Sequence, residues 1–203
     1  GCFSFYSNKN IACAEGGMLV TPHDDHAQRV RLLRSHGMTS LSHDRARGHA
    51  TAYDVVELGY NYRIDDIRAA LLLAQLRRLD EDIAWRARLR ARYEENLCGL
   101  NDIAVPFAER QERSSNYIFV VVLHEGGSER RERVRHLLAA AGIQTSVHYP
   151  PVHRFEIYRD CRPESLSVTE CFCDHAITLP LFRRMTFDQV DEVCEVLARA
   201  LRT

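Results

Sequence analysis

The 203-residue chain is 45% hydrophobic and 27% charged with a net charge of −1, the mix of an ordinary globular protein. That balance excludes a basic nucleic-acid-binding field and an acidic disordered chain, and no run approaches the roughly 18 apolar residues of a membrane span. Seven cysteines, odd in number and widely spread, exclude a dense disulfide framework and point to a reducing cytosol.

In chain order, residues 2–6 and 17–21 read as short strands with Lys9 in the loop between them. Residues 26–34 have helical spacing through Val30 and Leu33, residues 35–53 are a polar loop, and residues 55–63 are a mixed connector. One long helix is predicted over residues 65–97. Asp65 and Asp66 suit its N-terminus, Leu72, Leu76, Leu79 and Ile83 line one face, and Leu89, Tyr93 and Leu97 continue that face to a stop at Gly99. Beyond it come a strand at 117–123, a helix at 130–141 closed by Gly142, and a strand at 143–149 ended by Pro150-Pro151. A further strand is predicted at 175–181, and Thr186 with Gln189 makes a capping box for a last helix reaching Leu201.

Two oddities carry more information. The chain opens inside an apolar run, Gly1-Cys2-Phe3-Ser4-Phe5-Tyr6, with no initiator Met, which predicts a piece of a longer polypeptide. Of the 27 basic residues only Lys9 is lysine, leaving 26 arginines. A guanidinium stays protonated and cannot serve as an amine nucleophile, so a chain that spares one lysine points to chemistry there. Ser4 and Ser7 offer hydroxyls suited to a phosphate, and Glu15-Gly16-Gly17 allows close backbone approach. The competing reading is a stray surface lysine.

The motifs separate the two. Ser4-Phe5-Tyr6-Ser7-Asn8-Lys9-Asn10-Ile11 followed by Ala14-Glu15-Gly16-Gly17 resembles the active-site lysine segment of the DegT/DnrJ/EryC1/StrS aminotransferases. Arg34-Ser35-His36-Gly37, Gly59-Tyr60-Asn61-Tyr62-Arg63, Asp66-Ile67-Arg68-Ala69-Ala70 and Gln75-Leu76 are similar to further segments of that family. So are Val147-His148-Tyr149-Pro150-Pro151-Val152-His153 and Leu179-Pro180-Leu181-Phe182.

The resemblance implies an α/β chain, a partial fold-type-I pyridoxal-phosphate (PLP) transferase. Residues 1–100 would be the end of the large PLP-binding domain with the long connecting helix, and residues 101–203 a small C-terminal α+β domain. It implies that Lys9 forms the Schiff base with PLP and acts as base and acid in the proton shift, that Ser4 binds the cofactor phosphate, and that Asn61 reaches the cofactor phosphate of a neighbouring subunit. For Asn61 the alternative is a turn residue capping the approach to the helix. Tyr6, His148 and Tyr149 match positions near the substrate pocket; for His148 a satisfied strand-end histidine is the other reading. The implied partners are a second copy in a homodimer with shared active sites, a keto-sugar carried on a nucleotide, and an amino donor such as L-glutamate; no nucleic acid and no membrane are implied. Relatives that are dehydratases carry histidine at the lysine position, so Lys9 favours the transaminase branch. Family members are about twice this long. The half not matched carries the aspartate that pairs with the pyridine nitrogen, and without it the chain is expected to be inactive alone or a non-catalytic remnant.

Three other signals carry less. Cys161, Cys171, Cys173 and His175 lack paired CxxC spacing, so buried thiols are expected there and no metal. Arg77, Arg78, Arg86, Arg88, Arg90 and Arg92 interleave with Asp80, Glu81, Asp82, Glu94 and Glu95, the pattern of an ion-paired helix face. His23, His26, His36, His43 and His49 receive no chemistry, although some of them, with Arg47, could shape a substrate loop.

Overall fold

The computed structural model describes residues 1–39, 48, 52–109, 114–161 and 165–203. These divide into two compact units, Gly1–Leu79 and Asp80–Thr203. His43, Arg47 and His49 lie outside the described residues.

The first unit begins with an antiparallel pair, β1 (Cys2–Ser4) and β2 (Gly17–Leu19), in the register Cys2↔Leu19, Phe3↔Met18, Ser4↔Gly17. Helix α1 (Asp24–Leu33) follows, with Asp24 and Asp25 in its first turn. Helix α2 (Asp66–Leu76) is capped by Asp65, whose carboxylate accepts the Arg68 N–H at 2.8 Å. Neither helix buries a residue, and the buried side chains among the described residues of this unit are Phe5, Cys13 and Ser35. Leu58 and Ile67 are 91% and 84% exposed. Leu71, Leu73 and Leu76 of α2 are each half exposed or more, which is costly in water, so this unit does not close a core of its own.

The long helix expected over residues 65–97 is in fact two. It breaks at Arg77-Arg78 and restarts as α3 (Leu79–Leu97). The Arg78 N–H turns back to the Gln75 carbonyl at 3.0 Å, tightening the last turn of α2. Asp80, Glu81 and Asp82 then supply the acidic first turn that a new helix start favours. The predicted apolar face holds only in part. Leu76 is half exposed, whereas Leu89, Tyr93 and Leu97 are buried. Helix α3 lies almost wholly in the second unit, which begins at Asp80.

Among its described residues that second unit is a three-stranded antiparallel sheet in the order β3 (Ile103–Ala104), β4 (Phe119–Leu123), β5 (Ala176–Leu179), with four α-helices. Besides α3 these are α4 (Gly127–Ala140), α5 (Ser167–His175) and α6 (Phe187–Leu201). Phe119, Val121 and Leu123 alternate inward from β4 and meet Val134 and Leu138 of α4 and Val190, Val193 and Leu197 of α6 in one core. Tyr93 stacks on Phe119 with ring centroids 4.6 Å apart. The capping box forms as expected: Thr186 Oγ1 accepts from Gln189 N at 3.3 Å and Gln189 Oε1 from Thr186 N at 3.0 Å.

Residues 143–149 do not form the expected strand. They touch the sheet through one bridge, Ser146 with Thr178, and then bend away. Pro150 and Pro151 have no N–H with which to extend a ladder. Helix α5 and two short 3₁₀ turns, Val152–Arg154 and Glu156–Cys161, occupy a stretch for which the sequence predicted no element. No helix among the described residues is long and apolar enough to cross a membrane.

Candidate active-site residues and family

In the first unit Lys9 sits on a tight turn that leaves β1. Its N–H bonds the Tyr6 carbonyl at 2.9 Å, and the Tyr6 N–H reaches back to Ser4 Oγ at 3.3 Å. The loop is then tied to its own base, with Phe5 N–H on the Gly16 carbonyl at 2.8 Å and Cys13 N–H on the Phe5 carbonyl at 2.9 Å. Gly16 is required there, because a Cβ would lie 2.8 Å from the Cys13 sulfur. From α2 the Gln75 side chain completes the frame. Its Oε1 accepts the Ala12 N–H at 3.1 Å and its Nε2 donates to the Ala12 carbonyl at 2.7 Å. The loop carrying Lys9 is thus pinned to α2 by a residue whose role the sequence did not reveal. Its signal was that Gln75 falls inside a matched motif.

Asn61 lies in a second knot of backbone. The segment after α1 and the connector before α2 pair through His36 N–H to the Tyr60 carbonyl (2.8 Å), Tyr60 N–H to the Leu33 carbonyl (2.7 Å) and Tyr62 N–H to the Arg34 carbonyl (2.8 Å). The approach is too close for side chains. A Cβ on Gly37, whose φ is +69°, would fall on the Glu57 carbonyl, and one on Gly59 on the Gly37 nitrogen. Asn61 Oδ1 accepts from Arg63 Nε at 3.1 Å, and Arg63 Nη2 lies 3.4 Å from His36 Nε2. Asn61 therefore does not cap α2; Asp65 does. Tyr60 and Tyr62 stack at 4.9 Å on the exposed side of this knot.

In the second unit His148 follows the single bridge to β5. Its Nδ1 lies 2.9 Å from Thr178 Oγ1 and 3.2 Å from Ser146 Oγ. Tyr149 is exposed and meets the His148 ring edge-on at 4.7 Å. The next turn is clamped to α5 by His153 Nε2 to Glu170 Oε1 at 2.8 Å and by Arg154 Nη1 to Asp174 Oδ1 at 3.0 Å. The Leu179-Pro180-Leu181 segment is held by α3. The Tyr93 hydroxyl donates to the Pro180 carbonyl at 2.8 Å and Arg86 Nη1 to the Leu181 carbonyl at 2.7 Å. Burial holds the Arg86 guanidinium below its ordinary pKa, against the pull of Asp82. The neighbouring arginines are spent locally, Arg90 on Glu94 and Arg92 on Glu95 and Asp191.

The structure links Ser4 at the end of β1 to Tyr6 and Lys9 on the turn that follows, places Asn61 elsewhere in the same unit, and sets His148 and Tyr149 side by side in the other. Both nitrogens of His175 are used within the fold: Nδ1 is 2.7 Å from the Cys171 carbonyl, and Nε2 accepts the Gly127 N–H at 3.1 Å. Among the described residues no three His, Cys, Asp or Glu side chains gather as metal ligands.

The sequence profile of the DegT/DnrJ/EryC1/StrS aminotransferase family matches residues 1–198. The chain belongs to this family. Among solved structures this family member is similar to DesV of S. venezuelae, captured with a ketimine intermediate, at 30% identity and a TM-score of 0.85, covering 100% of this chain and 51% of that one. It is similar to the aminotransferase TlmJ of Streptoalloteichus hindustanus at 26% identity and a TM-score of 0.88, covering 100% and 52%. Spr1654 of Streptococcus pneumoniae, a sugar-aminotransferase candidate solved in its PLP form, matches at 27% identity and a TM-score of 0.85 over 99% and 51%. The chain thus spans about half the length of these structures, as a partial fold-type-I domain does.

The residues present fit PLP in part. A hydroxyl at the end of β1 and a primary amine five positions on, in the braced loop, are a donor set suited to a phosphate and an aldehyde. The described aspartates of this unit are placed otherwise. Asp24, Asp25 and Asp66 lie in first helical turns, Asp65 is a cap, and Asp54 Oδ1 accepts the Val55 N–H at 2.8 Å.

Proposed function

We propose that these residues serve amino transfer from an amino acid, L-glutamate the first candidate, to a keto-sugar carried on a nucleotide. The observation that carries this reading is the one lysine of the chain, set on a turn braced by Gln75 with the Ser4 hydroxyl beside it in sequence. PLP, when bound, supplies the electron sink that makes a proton α to the transferred nitrogen labile. Lys9 Nζ would hold the cofactor's aldehyde and, once the amino donor has displaced it there, would take and return the labile proton, work an arginine cannot do. Ser4 Oγ offers a hydroxyl to the phosphate. Asn61, held by Arg63, serves the phosphate of a second copy in a homodimer. Tyr6 in the first unit, and His148 with Tyr149 in the second, are the candidates for sugar recognition. The free cysteines suit a reducing cytosol.

A second reading is a non-catalytic subunit or remnant. It is favoured by one observation: α1 and α2 bury nothing within the described chain. The test measures PLP absorbance and transamination on this chain and on the polypeptide of the complete reading frame that contains it. Turnover of the complete polypeptide, lost in Lys9→Ala, supports the enzyme. No cofactor absorbance in either supports the remnant. Full turnover by this chain alone would overturn the view that it needs the unmatched half.

A further inference from the structure

Strand β5 reads Ala176-Ile177-Thr178-Leu179 and is buried along its length. Ile177 and Leu179 belong to the core of the second unit, so by strand alternation Ala176 and Thr178 face the other side of the sheet. Thr178 is 5% exposed. A buried hydroxyl costs free energy unless it is hydrogen-bonded, and valine would fill the same space with an equal preference for strands. The strand does not need that oxygen. Its backbone is already occupied, with Thr178 N–H on the Ser146 carbonyl at 2.8 Å and the Thr178 carbonyl receiving Ser146 N–H at 3.1 Å.

The hydroxyl goes to His148 Nδ1 at 2.9 Å, and Ser146 Oγ approaches the same nitrogen at 3.2 Å. One in-plane nitrogen faces two hydroxyls, each able to donate or accept. That pins the Nδ1 edge of the ring, whichever of the two neutral tautomers is present. We infer that Thr178, seconded by Ser146, is a positioning residue that holds the orientation of His148. The inference rests on the reading of His148 as a sugar-pocket residue. The bridge between residues 146 and 178 is what brings a core strand to bear on that ring. Backbone pairing there aligns the Thr178 and Ser146 hydroxyls with a side chain two residues further along.

The test compares Thr178→Val, Thr178→Ser and Ser146→Ala. Long-range proton–nitrogen correlation spectra of the His148 ring, recorded on this chain, need no turnover. Thr178→Val should move the Nδ1 resonance, Ser146→Ala should do so less, and Thr178→Ser should restore the wild-type pattern. Ring resonances unmoved in Thr178→Val would overturn the inference; if that variant does not fold, unmoved resonances in both Ser146→Ala and Thr178→Ala would do so. On the complete polypeptide Thr178→Val should raise KM for a keto-sugar nucleotide about fivefold with kcat nearly unchanged, the scale of one lost hydrogen bond. Should His148→Asn raise KM while Thr178→Val does not, the positioning role falls and the pocket reading stands. If His148→Asn leaves KM unchanged, the pocket reading falls first.

Discussion

Gln75 holds Ala12 by both edges of its amide, accepting the backbone N–H at 3.1 Å and donating to the carbonyl at 2.7 Å. The side chain stands in for a strand neighbour that the loop lacks, three residues after Lys9. Replacing it with leucine removes two part-buried hydrogen bonds and leaves both Ala12 groups to water. Each such bond is worth about 1 kcal/mol net. Gln75→Leu should speed amide exchange across residues 9–13 by at least tenfold while exchange in the second unit is unchanged. Equal rates in variant and parent would show that the clamp does not hold the loop.

Arg86 gives the same kind of support in the second unit. Its Nη1 lies 2.7 Å from the Leu181 carbonyl and 3.4 Å from that of Tyr117. Methionine keeps most of the volume but strands these carbonyls. A loss of about 2 kcal/mol in urea unfolding is expected for Arg86→Met, and Arg86→Lys should recover less than half, because an ammonium does not reproduce the planar fork. A neutral Arg86→Met would mean that water replaces the guanidinium without cost.

Much of this was legible in the sequence, and what was not has physical reasons. The capping box at Thr186 and the buried run at 119–123 announce themselves through local chemistry and period. Helix α5 does not, since Val168 is 84% exposed and Cys173 is its one buried residue. The break at Arg77-Arg78 was hidden because Leu, Arg and Asp are all acceptable within a helix; only the acidic triplet at Asp80–Asp82 hints at a new start. Lys9 and Ser4 were readable as candidates because their chemistry is local. Gln75 and Thr178 act across 63 and 30 residues of sequence, a distance that no spacing argument reaches.

Acid stability should depend on Asp191. The Arg92 fork, 2.8 and 2.9 Å from its two oxygens, and Asn96 at 2.6 Å hold this carboxyl below its ordinary value of 3.8. A depressed carboxyl contributes stability that is present above the unfolded value and lost as pH falls through the folded one. The window therefore lies below about pH 4. Asp191→Asn should lower stability at pH 7 and flatten the acid limb of the unfolding curve. An acid limb of unchanged slope would remove Asp191 from the titration.

Thiol chemistry reports the core of the second unit. Burial pushes the Cys194 thiol up to about 12, and Cys173 is raised by the same cause. Both are buried, and the thiolate is the reactive form. Iodoacetamide at pH 8 should leave Cys194 and Cys173 unmodified in the folded chain and alkylate both in urea, as read by peptide mass spectrometry. Rapid native labelling of Cys194 would mean that α6 opens on the timescale of the reaction.

His175 makes a cap that is not local. The short approach of its Nδ1 to the Cys171 carbonyl, 2.7 Å, requires the proton on that nitrogen, because two acceptors do not meet so closely. Nε2 is then the acceptor for Gly127 N–H at 3.1 Å. Gly127 opens α4, and its N–H is one of the donors a helix start leaves without an intrahelical partner. A residue 48 positions away thus does the work usually done by an adjacent serine or aspartate, and Gly126 at the cap position has no side chain to compete. His175→Ala should cost about 1 kcal/mol, the value of a lost N-cap, and the Gly127 amide should exchange faster while those deep in α4 do not. Unchanged exchange at Gly127 would mean that water caps α4 equally well.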